Sequence, residues 1–239
     1  MDISIEPVSG MEELLKYVQS HSIEESLWYL SSRFKDKIVF STSFGYEDQV
    51  ISHIIFENKI PIRVFTLDTG RMFPETYKVM NSTNNRYDTK VQVYYPKNDA
   101  VEKMVSTKGP MSFYDSVENR KECCFIRKVE PLNRALAGMD CWITGIRADQ
   151  SGNRKEMLPV EWDESHKLFK YHPLFNWTLD DVKAYIEKYN IPYNVLHDRG
   201  FPSIGCQPCT RAVAPGEDVR AGRWWWESDS KKECGLHVH

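Results

Sequence analysis

Lys37-Ile-Val-Phe-Ser-Thr-Ser-Phe-Gly-Tyr-Glu-Asp48, followed by a helix-like segment over 47–58 and by Ile62-Arg-Val-Phe-Thr-Leu67, decides the fold. A short β-rich run enters a glycine-containing turn at Phe44-Gly45 and passes into a helix. It then returns as a second β-rich run that stops at Asp68-Thr-Gly70. The pattern repeats downstream. Residues 74–86 read as a helix, with Pro74 in the first turn, where its missing N–H costs little. Residues 90–94 read as a third strand, a helix follows from about Asn98, and 141–145 supply a further strand. This alternation predicts an α/β fold, an open and mostly parallel sheet flanked by helices.

Upstream, residues 11–34 read as one amphipathic helix with Leu14, Leu15, Val18, Leu27, Leu30 and Phe34 among its apolar positions. Downstream lie a polar loop over 146–155, two β-like stretches over 158–162 and 167–172, and a helix opened by Thr178 with Asp181 three residues on, a relative of the capping box. Beyond Arg199 no long periodic element is visible, and prolines and glycines crowd 200–208. A bound metal would shape such a tail. Ligands of an open α/β sheet sit beyond the carboxyl ends of its strands. The segments leaving those ends, 41–48, 67–71 and 145–154, are polar, small or basic, so they should line one crevice with a nucleotide as its natural occupant.

The 239 residues suffice for one large domain, and 41% hydrophobic with 27% charged residues is ordinary for a soluble enzyme. A formal charge of −3 gives no global pull toward nucleic acid or membrane. No apolar run reaches the roughly 18–20 residues of a membrane span, and residues 1–13 carry acids and no arginine, unlike a signal or transit peptide. The expected location is cytoplasmic.

Six cysteines in a chain of this kind point to metal or redox chemistry rather than a disulfide framework. Cys206-Gln-Pro-Cys209 alone is ambiguous among zinc, disulfide redox and iron–sulfur. Adjacent Cys123 and Cys124 chelate a single tetrahedral zinc poorly but can bind different irons of a cuboidal cluster. Four thiolates is the count a 4Fe–4S cluster needs. The pair lies in Arg120-Lys-Glu-Cys-Cys-Phe-Ile-Arg-Lys128, whose four basic residues suit an anionic cluster or an anionic substrate. The plain alternative is a pair of small buried hydrophobes on a solvated basic helix. Cys234, in Lys231-Lys-Glu-Cys-Gly-Leu-His237, has neighbours that favour its thiolate, and near a chain end it can act as a mobile nucleophile. Its plain alternative is a surface thiol on a frayed tail. Cys141, on a predicted strand, and His53, His172 and His197 read as structural.

With these motifs in hand, the sequence resembles the assimilatory adenylyl-sulfate (APS) reductases, relatives of the 3′-phospho-APS (PAPS) reductases. The matching pieces are Cys123-Cys-Phe-Ile-Arg-Lys128 with Pro131-Leu132, the Cys206/Cys209 pair, Arg220-Ala-Gly-Arg-Trp-Trp-Trp-Glu227, Glu233-Cys-Gly-Leu-His237, Thr66-Leu-Asp-Thr-Gly-Arg71 with Pro74-Glu-Thr-Tyr77, and Thr144-Gly-Ile-Arg-Ala-Asp-Gln150. They span roughly residues 38–239.

The resemblance implies an adenine-nucleotide α-hydrolase-like fold over a single domain, 1–239. Within it, 1–35 form a helical segment, 36–200 the nucleotide-binding core, and 201–239 a cysteine-rich tail that binds the cluster and carries the nucleophile. It implies a 4Fe–4S cluster on Cys123, Cys124, Cys206 and Cys209. It further implies attack by Cys234 on the sulfuryl sulfur of APS, an S-sulfocysteine intermediate, and sulfite release by thioredoxin or glutaredoxin, in sulfate assimilation and cysteine biosynthesis.

Lys128, Arg220 and Arg223 match the family's positions around the phosphosulfate, and His237 would hold the tail over it. Leu67 and Gly145 should meet adenosine through the backbone. Ser43 and Gly45 belong to a degenerate phosphate loop in which Phe44 replaces a small hydroxyl residue. Arg147 and Arg154 lie on a loop expected to close over the nucleotide. Arg220 and Arg223 could instead staple the tryptophans. No partner among nucleic acids or membranes is expected, the electron donor is a separate protein, and a homo-oligomer is allowed.

The nearest rival is a PAPS or dual-specificity reductase with the same chemistry. An ATP-dependent adenylating enzyme, such as an iron–sulfur tRNA-thiolating protein, would need an intact SGGxDS-type loop. A zinc-binding regulatory module would leave Cys234 and the tryptophans unexplained.

Overall fold

The computed structural model describes residues 7–150 and 157–227. Helices α1 (Pro7–Ser20) and α2 (Ile23–Phe34) precede β1 (Ile38–Ser41), α3 (Tyr46–Glu57), β2 (Arg63–Leu67), α4 (Pro74–Arg86), β3 (Gln92–Tyr94) and α5 (Asn98–Lys108). There follow α6 (Val117–Cys124), a π turn (Phe125–Val129), α7 (Glu130–Leu136), β4 (Cys141–Ile143), β5 (Val160–Asp163), β6 (Leu168–Tyr171) and α8 (Leu179–Lys188). The six strands run in the order β3-β2-β1-β4-β6-β5, all neighbours parallel except the β5–β6 hairpin. The α/β class read from the sequence is correct.

The expected single helix over 11–34 is two helices. Ser22 caps α2, its hydroxyl accepting from the Glu25 N–H at 3.2 Å while the Glu25 carboxylate accepts from the Ser22 N–H at 2.8 Å. This reciprocal capping box stops α1 and restarts the chain in a new direction. Thr178 and Asp181 build the same device at the start of α8.

One face of the sheet is covered by α1–α4 and α8, through Leu14, Leu27, Ile51, Val79 and Val182 packed with Phe40 and Ile143. The other face carries α7, whose Leu132, Ala135 and Leu136 bury against Val39, Phe65 and Trp142. Strand faces alternate by two, so Phe40 and Val39 serve opposite cores. Cys141 is fully buried on β4, and burial raises its thiol pKa. Among the described residues no helix is long and apolar enough to cross a membrane.

A third, smaller core lies off the sheet. Met104, Phe113, Cys123, Cys209 and Trp224 are buried together there. It joins α6 to the segment after Cys206. Glu227 accepts two hydrogen bonds from the Arg120 guanidinium, each 2.9 Å, with both side chains about 5% exposed. The Arg120 and Arg223 guanidinium carbons lie 4.7 and 4.9 Å from the Trp224 ring centroid.

The β1–α3 turn is held from within. Asp48, in the first turn of α3, accepts from the Ser43 N–H at 2.6 Å and from the Ser43 hydroxyl at 2.7 Å. Phe44 takes a left-handed conformation, φ 60°, and its ring is fully buried. That conformation is costly for a bulky residue, and core burial of the ring offsets it.

Two predictions follow from this packing. Glu227→Ala leaves the Arg120 cation buried without its carboxylate and should cost about 3–5 kcal/mol in chemical denaturation; a loss below about 1 kcal/mol would contradict the role given to the pair. Burial pushes the Asp48 carboxyl up to about 6 from 3.8. The native state therefore holds this proton more tightly than the unfolded chain, and stability falls as pH rises between about 4 and 6. Measured against Asp48→Asn, the wild type should lose up to about 3 kcal/mol between about pH 4 and 7; a flat or rising difference would refute the assignment.

Candidate active site and cysteine cavity

From β1 the connections lead one way, to β2 and β3, and from β4 the other way, to β6 and β5. Between them, at the carboxyl ends, opens the crevice that such a switch point creates. It measures about 300 Å³. Ser43, Gly45, Leu67, Lys128, Gly145, Arg220 and Arg223, all singled out from the sequence, line it. So do Ser41 and Thr69, within the segments expected to line it, and Thr144, His197 and Ser203, which the sequence reading did not place there.

Two of the residues named in advance are already engaged. Both the N–H and the hydroxyl of Ser43 are given to Asp48, so this loop offers an anion little from Ser43 itself. Gly145 passes so close to Asp48 that a Cβ there would run into the carboxylate, which is why the chain has glycine at this point. Arg147 departs from the expectation of a closing loop. Its buried guanidinium pairs with Glu47 at 2.8 Å and donates to the Trp177 carbonyl at 3.2 Å, and it is not among the lining residues. Cys234, His237 and Arg154 lie outside the described residues.

Beside the crevice, Cys123, Cys124, Cys206 and Cys209 line a second, smaller cavity together with Arg71, Phe113, Arg120, Arg127 and Lys128. The first two thiols stand at the end of α6; of the other two, Cys206 precedes and Cys209 ends a 3-10 turn, Gln207–Cys209. The π turn separates α6 from α7. The Glu130 N–H bonds to the Phe125 carbonyl, five residues back. Pro131 explains it: without an N–H, and with a ring that would strike the carbonyl four residues earlier, it cannot continue an α ladder. The wider turn carries Arg127 and Lys128 to the cavity wall.

Lys128 and Cys206 line both cavities. Thr69 also ties them together. Its hydroxyl meets Cys206 Sγ at 3.3 Å, and its carbonyl accepts from Arg127 at 2.6 Å. The Arg71 carbonyl accepts from the Gln207 N–H at 2.8 Å, so the β2–α4 loop is stitched to the CxxC turn. Arg223 donates to Ser203 Oγ at 3.1 Å, and Gly205 is small because the guanidinium lies against it.

Burial raises the Cys123 thiol, and burial with the neighbouring Cys206 and Cys124 pushes Cys209 up to about 12. Burial acts the same way on Cys206, yet Lys128, the Thr69 hydrogen bond and Arg223 outweigh it and hold this thiol below its ordinary value. Two buried thiols that resist ionisation, Cys123 and Cys209, stand with Cys124 and the more acidic Cys206 among cations, a donor set that a metal centre would convert to thiolates.

A family model for the phosphoadenosine phosphosulfate reductase domain matches residues 37–212. The adenosine 5′-phosphosulfate reductase of Allochromatium vinosum is 52% identical over 202 residues, 84% of this chain and 79% of that protein. The protein of the same name from Neisseria meningitidis serogroup A is 43% identical over 234 residues, 98% of this chain and 96% of that protein. The crystal structure of phosphoadenylyl-sulfate (PAPS) reductase from Candida auris, a phosphate complex, aligns with a TM-score of 0.74 at 29% identity, covering 89% of this chain and 100% of that one. The switch-point crevice and its sheet are therefore those of an adenine-nucleotide α-hydrolase-like fold, and the chain belongs to the phosphoadenosine phosphosulfate reductase family.

Proposed function

We propose that the chain reduces adenylyl sulfate to sulfite and AMP, with thioredoxin or glutaredoxin as electron donor, in sulfate assimilation. The observation that carries this reading is the shared wall. Lys128 and Cys206 belong both to a nucleotide-sized crevice and to a cavity ringed by four cysteines. The names of the relatives that share about half its residues agree with it.

Cys123, Cys124, Cys206 and Cys209 would hold a 4Fe–4S cluster. The four thiols line one common cavity, and adjacent Cys123 and Cys124 chelate a single tetrahedral zinc poorly, so the set suits a polynuclear cluster better. When bound, the cluster supplies electrostatic tuning of the adjoining basic end of the crevice.

The chain's own groups account for the rest. APS carries negative charge on both its phosphate and its sulfate, and a thiolate cannot approach until cations screen them. Lys128, Arg220 and Arg223 supply that screening, with Arg223 fixed by Ser203 and Trp224. The Cys234 thiolate attacks the sulfuryl sulfur. An S–S bond forms, the S–O bond to AMP breaks, and AMP leaves with the electron pair. A donor thiolate then attacks the Cys234 sulfur and releases sulfite, and the second donor thiol resolves the mixed disulfide. The dithiol supplies both electrons. His237 would help seat the tail.

Reduction of PAPS by the same steps is the second reading, favoured by the similarity to the Candida auris protein. Anaerobically purified protein should be brown and should release sulfite from APS in strong preference to PAPS when thioredoxin is supplied. Equal rates would move the assignment to a dual-specificity reductase, and no sulfite from either nucleotide would overturn it. Cys234→Ser should lower sulfite release by about a thousandfold or more while leaving the visible spectrum unchanged. Retained turnover would remove Cys234 from the mechanism.

A further inference from the structure

At the mouths of β1 and β4 two hydroxyls stand side by side. The strands register Phe40 with Ile143, which places Ser41 next to Thr144, and both line the crevice. Their partners fix what each can offer. Trp142 donates its indole N–H to Ser41 Oγ at 2.8 Å. An indole nitrogen only donates, so the Ser41 oxygen serves here as acceptor and keeps its own proton for another group. Thr144 Oγ1 lies 2.7 Å from His172 Nδ1, and His172 Nε2 lies 3.2 Å from Glu161 Oε2. The carboxylate accepts, which puts the ring proton on Nε2 and leaves Nδ1 to accept from Thr144. Thr144 sits in the crevice wall, 2% exposed, and its oxygen keeps a lone pair beyond the bond to His172. The His172 side chain has no exposure, and the relay meets solvent at Glu161, 18% exposed.

The crevice mouth thus presents a donor beside an acceptor. Around them stand Leu67, Leu132 and Trp142, an apolar setting suited to a base, while Lys128, Arg220 and Arg223 make up its basic groups. We propose that Ser41 and Thr144 are specificity-determining residues that read the Watson–Crick edge of the adenine base, the Ser41 hydroxyl donating to N1 and the Thr144 oxygen accepting from the N6 amino group. Guanine and hypoxanthine carry N1–H and O6 on that edge, reversing both polarities and leaving each contact mismatched. This inference rests on the crevice being an adenine-nucleotide site. It adds side-chain readout to the backbone contacts expected of Leu67 and Gly145, and it gives His172 a positioning role.

Calorimetric titration of the anaerobically purified holoprotein with AMP and with IMP tests it, on wild type, Ser41→Ala, Thr144→Val and Thr144→Ser. The wild type should bind AMP about 30-fold or more tightly than IMP. Ser41→Ala and Thr144→Val should each reduce that ratio about 5- to 10-fold, and Thr144→Ser, which keeps the hydroxyl, should hold it within about twofold. The ratio is insensitive to a general loss of folded protein, which would weaken both nucleotides alike. AMP binding with no preference over IMP, or a preference unchanged in both Ser41→Ala and Thr144→Val, overturns the inference while leaving the nucleotide site intact. Failure of wild type to bind AMP at all overturns the nucleotide site and this inference with it.

Discussion

The site depends on gathering positive charge beside four clustered thiols. Arg71, Arg120, Arg127 and Lys128 come from two separate segments, the β2–α4 loop and the rod formed by α6, the π turn and α7, yet they share one cavity. Bringing cations together out of water is unfavourable unless anions accompany them. Glu227 meets Arg120, and thiolates complete the compensation once the cysteines are ionised. Charge, packing and cysteine placement are one constraint here. The small core of Met104, Phe113 and Trp224 packs with Cys123 and Cys209 beside that cavity and lowers the local dielectric, which strengthens these interactions.

That constraint also explains why crevice and cavity cannot vary independently. Lys128 faces both, Thr69 touches Cys206 through its hydroxyl and Arg127 through its carbonyl, and Arg71 holds Gln207. A shift of the CxxC turn would be carried through Thr69 to the end of β2, where Leu67 lines the crevice. In the proposed reaction, the charge state of the cysteines would then bear on the groups that meet the phosphosulfate. No long-range pathway is needed, because the two walls are the same residues.

Much of this was legible in the sequence, for identifiable reasons. Strand–helix alternation over 37–108 is a local signal, as is the capping box at Thr178, and both appear in the structure. The cysteine pairs were conspicuous by spacing alone. The break between α1 and α2 was encoded too, in Ser22 with Glu25, but the apolar periodicity on either side concealed it. The π turn was signalled by Pro131, although proline near a helix start more often marks an ordinary first turn. Arg147 could not be placed from sequence, because its partner Glu47 lies a hundred residues away. The polarity of Ser41 and Thr144 is set by Trp142, His172 and Glu161, so it exists only once β1, β4, β5 and β6 are assembled.

The β1–α3 turn argues for how the crevice uses its anion sites. In a nucleotide-triphosphate enzyme this turn would offer its backbone N–H groups and the positive end of the following helix to a pyrophosphate. Here Glu47 and Asp48 occupy the first turn of α3, and Asp48 takes the Ser43 N–H and hydroxyl for itself. Phe44, at the position of a small hydroxyl residue, turns its ring into the core. The acidic first turn already compensates the helix dipole, so the turn retains little affinity for phosphate. The cationic side chains that line the crevice, Lys128, Arg220 and Arg223, come from the π turn and the C-terminal segment instead. An adenylating enzyme needs its anion site at this turn. A reductase that expels AMP while a thiolate approaches the sulfate needs its cations around the sulfuryl group, and the distribution of charge in this crevice matches the second requirement.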